Sequence, residues 1–320
     1  GEVSQDAIDK AFNKTRADDR KEWLSAYDRN IRLDVTKKNC PVQDFIDREL
    51  IHFAKYDCER SICNLVDGFK TSQRKIAYAA FKRNLVKEIK VAQFSGYVSE
   101  HSAYHHGEMS LNMAIVKLAQ EFTGSNNINI LMPNGQFGTR LGGGKDHASE
   151  RYIFTALNKL TRYIFPDADD KILNYLDDDG TPVEPDFYLP ILPMIVVNGG
   201  KGIGTGFSLD VMSYNVKALC KYIRCLLAKK SNFPDIEPYY EGFEGKTIKT
   251  EFVNKDDGKT YLKYLFKGTY KVISSDTIQV TELPVGYWTD TFKEDLEKLM
   301  DDKKKKPTIR HIQDDSTDAT

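Results

Sequence analysis

The chain has 320 residues, is 40% hydrophobic and carries a formal net charge of −1, so it can bury a sizeable core and has the length of roughly two domains. The near-neutral total excludes a globally basic nucleic-acid binder, and the longest apolar stretch, residues 189–197, is far short of the ~20 residues that a membrane-spanning helix needs. Five cysteines, an odd number with no C-x-x-C pair, argue against a disulfide framework or a zinc ribbon, and a reducing compartment is expected. No apolar leader opens the chain, so a soluble protein without a secretion signal is expected. Gly1 and the abrupt end at Thr320 read as cut points in a longer polypeptide.

In chain order, residues 5–30 read as a polar helix anchored by Phe12, Trp23 and Leu24, followed by a loop at 34–41. Near-helical spacing of Phe45, Ile46, Leu50, Ile51 and Phe53 predicts a helix over 44–54, and Ile76, Ala77, Ala80 and Phe81 predict another over 72–81. After Gly107, the steps of three and four through Leu111, Ala114, Ile115, Leu118, Ala119 and Phe122 predict an amphipathic helix. Residues 128–132 read as a short strand, Asn134-Gly135 as a turn and 138–146 as a flexible glycine-rich loop, with a helix resuming near Ala148.

The apolar run ending at Asn198 and the glycines at 199–206 suggest strand, tight loop and strand. A helix is expected from about Tyr214, through Leu219, Tyr222, Ile223, Leu226 and Leu227. It leads into alternating segments at 261–266, 270–273 and 277–281 that suggest one small sheet. The pattern alone puts a domain boundary near 210. The basic run 303–306 and the tail after Ile312 read as solvated and poorly ordered.

Charge is placed unevenly. Residues 60–90 hold eight Lys or Arg against Asp67 and Glu88, whereas 167–186 hold eight acids, so a basic face can coexist with an acidic edge. Gly202, Gly204 and Gly206 are spaced G-x-G-x-G, which fits neither nucleotide-binding glycine motif; close approach of another backbone or a positive φ explains them better. His101, His105 and His106 lack a completing set of ligands, and polar contacts to phosphate or backbone are preferred over a metal. In GTRLGGGKDHASERY, Arg140 and Lys145 sit on a loop before Arg151 and Tyr152. A tyrosine nucleophile would need neighbouring cations, since an ordinary phenol has a pKa of about 10. By themselves these residues leave a structural surface tyrosine as the commoner alternative.

Six blocks change that balance. NLVDGFKTSQRK, YHHGE, PNGQFGTR followed by GGKD, ERYIFTALNKLTR, EPDFYLPILPMIVVNG and GIGTG occur in the order in which they stand in eukaryotic-type type IIA DNA topoisomerases. Over roughly residues 20–300 the chain resembles the breakage-reunion region of that family. The resemblance implies an α+β chain: a winged-helix domain carrying the catalytic tyrosine, then a tower domain with a small β-sheet and packed helices. The implied divisions are a helical arm at 1–40, the winged helix at 41–165, the tower at 166–310 and a tail at 311–320.

It further implies Tyr152 as nucleophile with Arg151 beside it, Arg60, Lys70, Arg74 and His106 along the scissile backbone, and Arg140 and Lys145 on the loop before Tyr152. Ile203 would be a wedge between base steps. The implied partners are double-stranded DNA and a second copy of the chain in a homodimer. The implied cofactors are Mg²⁺, on carboxylates of a separate metal-binding domain, and ATP, used by a further domain of the full-length enzyme; no metal ligand is assigned here. A nuclear location is implied, with a cytoplasmic viral factory as the alternative. Thr71-Ser72 departs from the proline and glycine common after DGFK in the family. Two other readings remain: a winged-helix DNA binder that does not cleave, and a scaffold whose acidic stretch binds a protein.

Overall fold

The computed structural model describes residues 2–254, 258–300 and 309–317. Helices α1 (Glu2–Phe12) and α2 (Ala17–Ser25) form the arm. The single helix expected over 5–30 is broken where the Asn13 side chain accepts from the Thr15 N–H at 3.0 Å and its hydroxyl at 2.9 Å, a local turn that competes with the helix. A short α3 (Val42–Phe45) passes through a π turn, Ile46–Leu50, into α4 (Ile51–Ser61), longer than the spacing predicts. Ala7, Ala11, Trp23, Ile46, Ile51 and Ala54 form one small core that joins the arm to this helix.

The main core is built by α5 (Thr71–Lys82), α6 (Val91–Ser102) and α7 (Glu108–Ala119). Both periodic predictions hold because one face of each helix is buried: Ile76, Ala77 and Ala80 on α5, and Leu111, Ile115 and Leu118 on α7. Helix α6, to which no element is assigned above, buries Val91, Phe94 and Val98; Gly96 and its serines mask the pattern. Each fully buried Phe or Leu contributes about 1.5–3 kcal/mol.

Strand β1 (Ile89–Lys90) pairs antiparallel with β2 (Phe154–Thr155). This pairing, with Ala92 N–H donating to the Glu150 carbonyl at 3.1 Å and Val91 N–H to the Ile153 carbonyl at 3.0 Å, holds the segment after Ala148 in a turn and a short strand rather than in the helix its sequence predicts. The only helix there is the single turn α8 (Thr161–Ile164). Residues 128–132 do not form a strand; Leu131 makes one isolated bridge to Leu157, and Ile130 and Leu131 donate to the Leu118 carbonyl instead.

The acidic stretch is a 3-10 turn, Asp167–Lys171, and the hairpin of β3 (Tyr175–Asp178) and β4 (Thr181–Pro185). The apolar run ends not in a strand but in α9 (Met194–Val197), entered from Pro193. The glycine cluster is itself the first strand of a hairpin, β5 (Gly200–Gly204) with β6 (Phe207–Val211).

Helix α10 (Val216–Leu227) is capped by the Asn215 side chain, which accepts from the Ala218 N–H at 3.1 Å. Two hairpins follow rather than one sheet. Strand β7 (Lys246–Val253), not foreseen, pairs with β8 (Thr260–Lys267), and β9 (Thr269–Val272) pairs with β10 (Ile278–Glu282). Helix α11 (Thr289–Met300) is the last helix among the described residues. The basic run 303–306 lies outside the described residues. In the tail, residues 309–317 have no regular structure, but Asp314 pairs with Lys293 at 2.5 Å.

The architecture is therefore mixed helices and, among the described residues, small two-stranded antiparallel sheets. One cluster of buried residues runs from Phe69 to Leu219, across both positions considered for a domain boundary.

Candidate functional site

Helix α4 ends at Ser61, so Arg60 projects from its last turn. A tight turn follows, closed by Asn64 N–H to the Phe69 carbonyl at 2.9 Å, and it delivers Lys70 to the start of α5. Gln73 reaches back and accepts from the Lys70 N–H at 2.8 Å, which sets the lysine at the N-cap of a helix, where anions are favoured. The β5–β6 hairpin lies against α4. A β-carbon on Gly202 would overlap the Ser61 carbonyl, and one on Gly204 would come within 3.2 Å of the Cys58 Cα. Alternation along the strand then turns Ile203 outward, 76% exposed.

Thr205 donates to Asp57 at 2.8 Å and locks the tip. From the arm, the buried Arg20 donates to the Gly206 carbonyl at 3.1 and 3.2 Å and lies over the Phe207 ring. The result is a groove of about 320 Å³ lined by Arg60, Ser61, Lys70, Ser72, Tyr104, Ser110 and Ile203.

His106 stands at the edge of this groove, edge-on to Tyr104 with ring centroids 5.4 Å apart, and its Nε2 lies 2.8 Å from the Tyr56 hydroxyl. Burial, then the Arg60 charge, then His105 and Lys75, hold its pKa below the ordinary histidine value. The other two histidines point elsewhere: His101 stacks on Tyr97 at 3.9 Å, and His105 meets Asp178 at 3.2 Å. Among the described residues no three His, Cys, Asp or Glu side chains cluster as metal ligands.

The second part of the site is the segment before Tyr152. The loop at 138–146 is not free. Asp146 accepts from the Thr139 N–H at 3.0 Å and from its hydroxyl, and Gln120 donates to the carbonyls of Phe137 and Gly144 at 2.8 and 3.0 Å. Burial pushes the Asp146 carboxyl up, but the hydrogen bonds from Thr139 outweigh it and hold the carboxyl below the ordinary range. Beyond the loop, Ala148 N–H donates to Gln136 and Tyr152 N–H to Ser149, both at 2.9 Å. Between buried Ile153 and that turn, the Tyr152 side chain is 74% exposed, with Arg151 exposed beside it.

Two of the cations singled out from the sequence, Arg74 and Arg140, are paired within the protein. Arg74 is buried and donates to Asp67 at 2.7 and 3.1 Å, with side chains 8% and 0% exposed. Arg140, half-buried, pairs with the buried Glu282 and donates to the Leu283 carbonyl at 2.8 Å. By contrast, among the described residues Arg60, Lys70, Lys145 and Arg151 have no ion-pair partner. The structure thus brings Arg60, Lys70 and Ile203 together, with His106 adjacent. Lys145, Arg151 and Tyr152 share the other segment. Sequence reasoning missed Tyr56, Tyr104, Ser72 and Ser110. Ser72 and Ser110 do fall in the first turns of helices α5 and α7, where hydroxyls face incoming anions.

Residues 60–320 match the family model for the A-type subunit of DNA gyrase/topoisomerase IV, and residues 1–58 match one described as the C-terminal associated domain of TOPRIM. The first match spans well over half of the sequence, and the chain belongs to the DNA gyrase/topoisomerase IV A-type family. Among individual relatives, it is 50% identical over 299 residues to the probable DNA topoisomerase 2 of Dictyostelium discoideum, covering 93% of this chain and 19% of that protein. It is 48% identical over 315 residues to DNA topoisomerase 2 of Saccharomyces cerevisiae, covering 98% and 21%. Its fold is similar to the crystal structure of the Plasmodium falciparum topoisomerase II DNA-binding, cleavage and re-ligation domain, with a TM-score of 0.86, 45% identity, and coverage of 100% of this chain and 42% of that one. The chain spans about a fifth of the length of the curated relatives it matches.

Proposed function

We propose that the chain is the DNA-binding and cleavage portion of a type IIA DNA topoisomerase, with Tyr152 as the nucleophile of a reversible transesterification. The observation that carries this reading is a groove holding two cations without an ion-pair partner among the described residues and an outward isoleucine, in a chain that also presents an exposed tyrosine beside an exposed arginine.

In the proposed step the Tyr152 hydroxyl oxygen attacks a backbone phosphorus and the bond from phosphorus to the 3′ oxygen breaks. The protein is left joined to the 5′ phosphate. The phenolic proton passes to a base and the departing 3′ oxygen takes one up. One phosphodiester replaces another, so the step is close to energy-neutral and runs backward to reseal the strand. Arg151 supports the extra negative charge of the five-coordinate phosphorus. Arg60 and Lys70 hold the backbone electrostatically, and Ile203 enters between base steps at a cost of a few kcal/mol, offset by the additional contacts of bent DNA.

Helices α5, α6 and α7 with the β1–β2 ribbon support reading 41–165 as a winged-helix domain, with the tower over 166–310. The small core of the arm and the second family model, over residues 1–58, favour an arm that takes in α3 and α4, so that the winged helix begins after residue 58 rather than at 41. Arg74 and Arg140 pass from DNA contacts to structural roles, whereas Lys145 and His106 stay as backbone contacts. Cutting both strands takes two tyrosines, so a two-fold homodimer is part of the reading, as are ATP use and magnesium on other segments of the whole protein and a nuclear location. The test is transfer of label from the 5′ phosphate of a cleaved duplex to the full-length protein; a label that stays wholly on DNA contradicts the reading.

A further inference from the structure

The loop that leads to Tyr152 is held by a segment 142 residues further along the chain, beginning with the Arg140–Glu282 pair. Beside that pair, the Leu283 carbonyl accepts from Arg140 at 2.8 Å, and the Asp290 N–H donates to the Leu141 carbonyl at 3.2 Å. Between these ties the Trp288 indole lies against the loop at Gly143. Gly143 has φ +63°, and any β-carbon there would overlap the indole. Phe122 meets the same indole edge-on at 5.8 Å.

The Arg140 and Glu282 side chains are only 12% and 6% exposed, so removing either charge strands its partner in a poorly solvated place. Glu282 is also the last residue of β10, and its other oxygen accepts from the Glu244 N–H at 3.2 Å, just ahead of β7. The loop is therefore fastened on its inner side by Gln120 and Asp146 and on its outer side by the base of the two hairpins. Neither Glu282 nor Trp288 is near the nucleophile in sequence, and neither has a place in the proposed reaction so far.

We infer that Glu282 and Trp288 are positioning residues for Tyr152: they clamp the 138–146 loop, fix the approach of the phenol to the backbone, and couple that approach to the hairpins. The inference rests on the transesterification reading above. Attack on phosphorus requires alignment within a fraction of an ångström, and displacement of the nucleophile by about 1 Å costs up to about 100-fold in rate.

The experiment uses the full-length protein and a suicide duplex whose cleaved strand cannot be resealed. Glu282→Gln and Trp288→Ala are each expected to slow adduct formation about 10- to 100-fold, with the dissociation constant for the duplex changed by less than about twofold. Arg140→Glu should be slow alone, and the exchanged pair Arg140→Glu with Glu282→Arg should recover most of the rate. In protein carrying fluorotryptophan, the fluorine resonance of Trp288 is identified by its loss in Trp288→Ala, and it should move in Glu282→Gln as the clamp opens. A normal adduct rate in both clamp variants overturns the inference and leaves the transesterification reading standing. So does a parallel loss of DNA affinity and rate without recovery in the exchanged pair, which marks general unfolding. An unsubstituted protein that binds the duplex and yields no adduct overturns the transesterification reading, and the inference with it.

Discussion

Gly202 sits directly against the Ser61 carbonyl, with no room for a side chain between the β5 strand and the end of α4. The same contact puts Arg60 and Ile203 into one groove, because the strand that hides Gly202 must expose its neighbour.

Gly202→Ala is therefore expected to displace the hairpin and destabilise the protein by about 1–3 kcal/mol, the usual cost of overpacking a close contact. Thermal melts check the stability, and a fluorescence measurement of duplex bending checks the function. Bending should fall together with stability for Gly202→Ala, whereas Ile203→Ala, at an exposed position, should reduce bending with little change in melting.

The cations divide into two classes with opposite signatures. Arg60→Ala and Lys70→Ala should weaken duplex binding across all sequences, and each should lower the slope of log affinity against log salt by about 1, with melting unchanged. Arg74→Ala should do the reverse. It leaves the buried Asp67 carboxylate without its cation and should cost about 3–5 kcal/mol of stability. Salt titrations and denaturant unfolding of the three variants separate the classes.

His106 supplies a pH dependence. Its pKa is lowered in the folded protein from 6.5 by burial and by Arg60, so between the two values the unfolded chain binds more protons than the folded one. Its contribution to stability is then fully present above about pH 6.5 and is lost as pH falls through that window. Proton NMR should show His106 titrating below the ordinary range in the free protein. Bound duplex should raise that value, because phosphate offsets the Arg60 charge, and the rise should vanish in Tyr56→Phe if that hydroxyl orients the ring.

What the sequence made legible follows from which forces leave a local trace. Helices α5, α7 and α10 were readable because burial of one face imposes a three-to-four-residue period on Ile76, Leu111 or Leu219. The G-x-G-x-G spacing has a period of two, that of a strand with one face pressed on a helix. Long-range pairing leaves no such trace. Arg74 and Arg140 look in sequence like any other cation in a basic stretch; only folding reveals Asp67 and Glu282 as their buried partners. Strand β7 escaped notice because both its faces are largely exposed, so no hydrophobic alternation marks it. The groove joins residues from 60, 70, 104 and 203, which the order of the motif blocks suggests but no spacing encodes.

The most direct test of the central claim maps the residue bonded to DNA. The full-length protein is incubated with Mg²⁺ and a suicide duplex and denatured, and the DNA-linked peptide is sequenced beside a Tyr152→Phe variant. Since the side chain is 74% exposed, the variant should fold and bind duplex as the parent does. The expected result is a phosphotyrosine link on the peptide containing Tyr152, absent from the variant. An adduct on any other residue, or one that survives in Tyr152→Phe, contradicts the assignment.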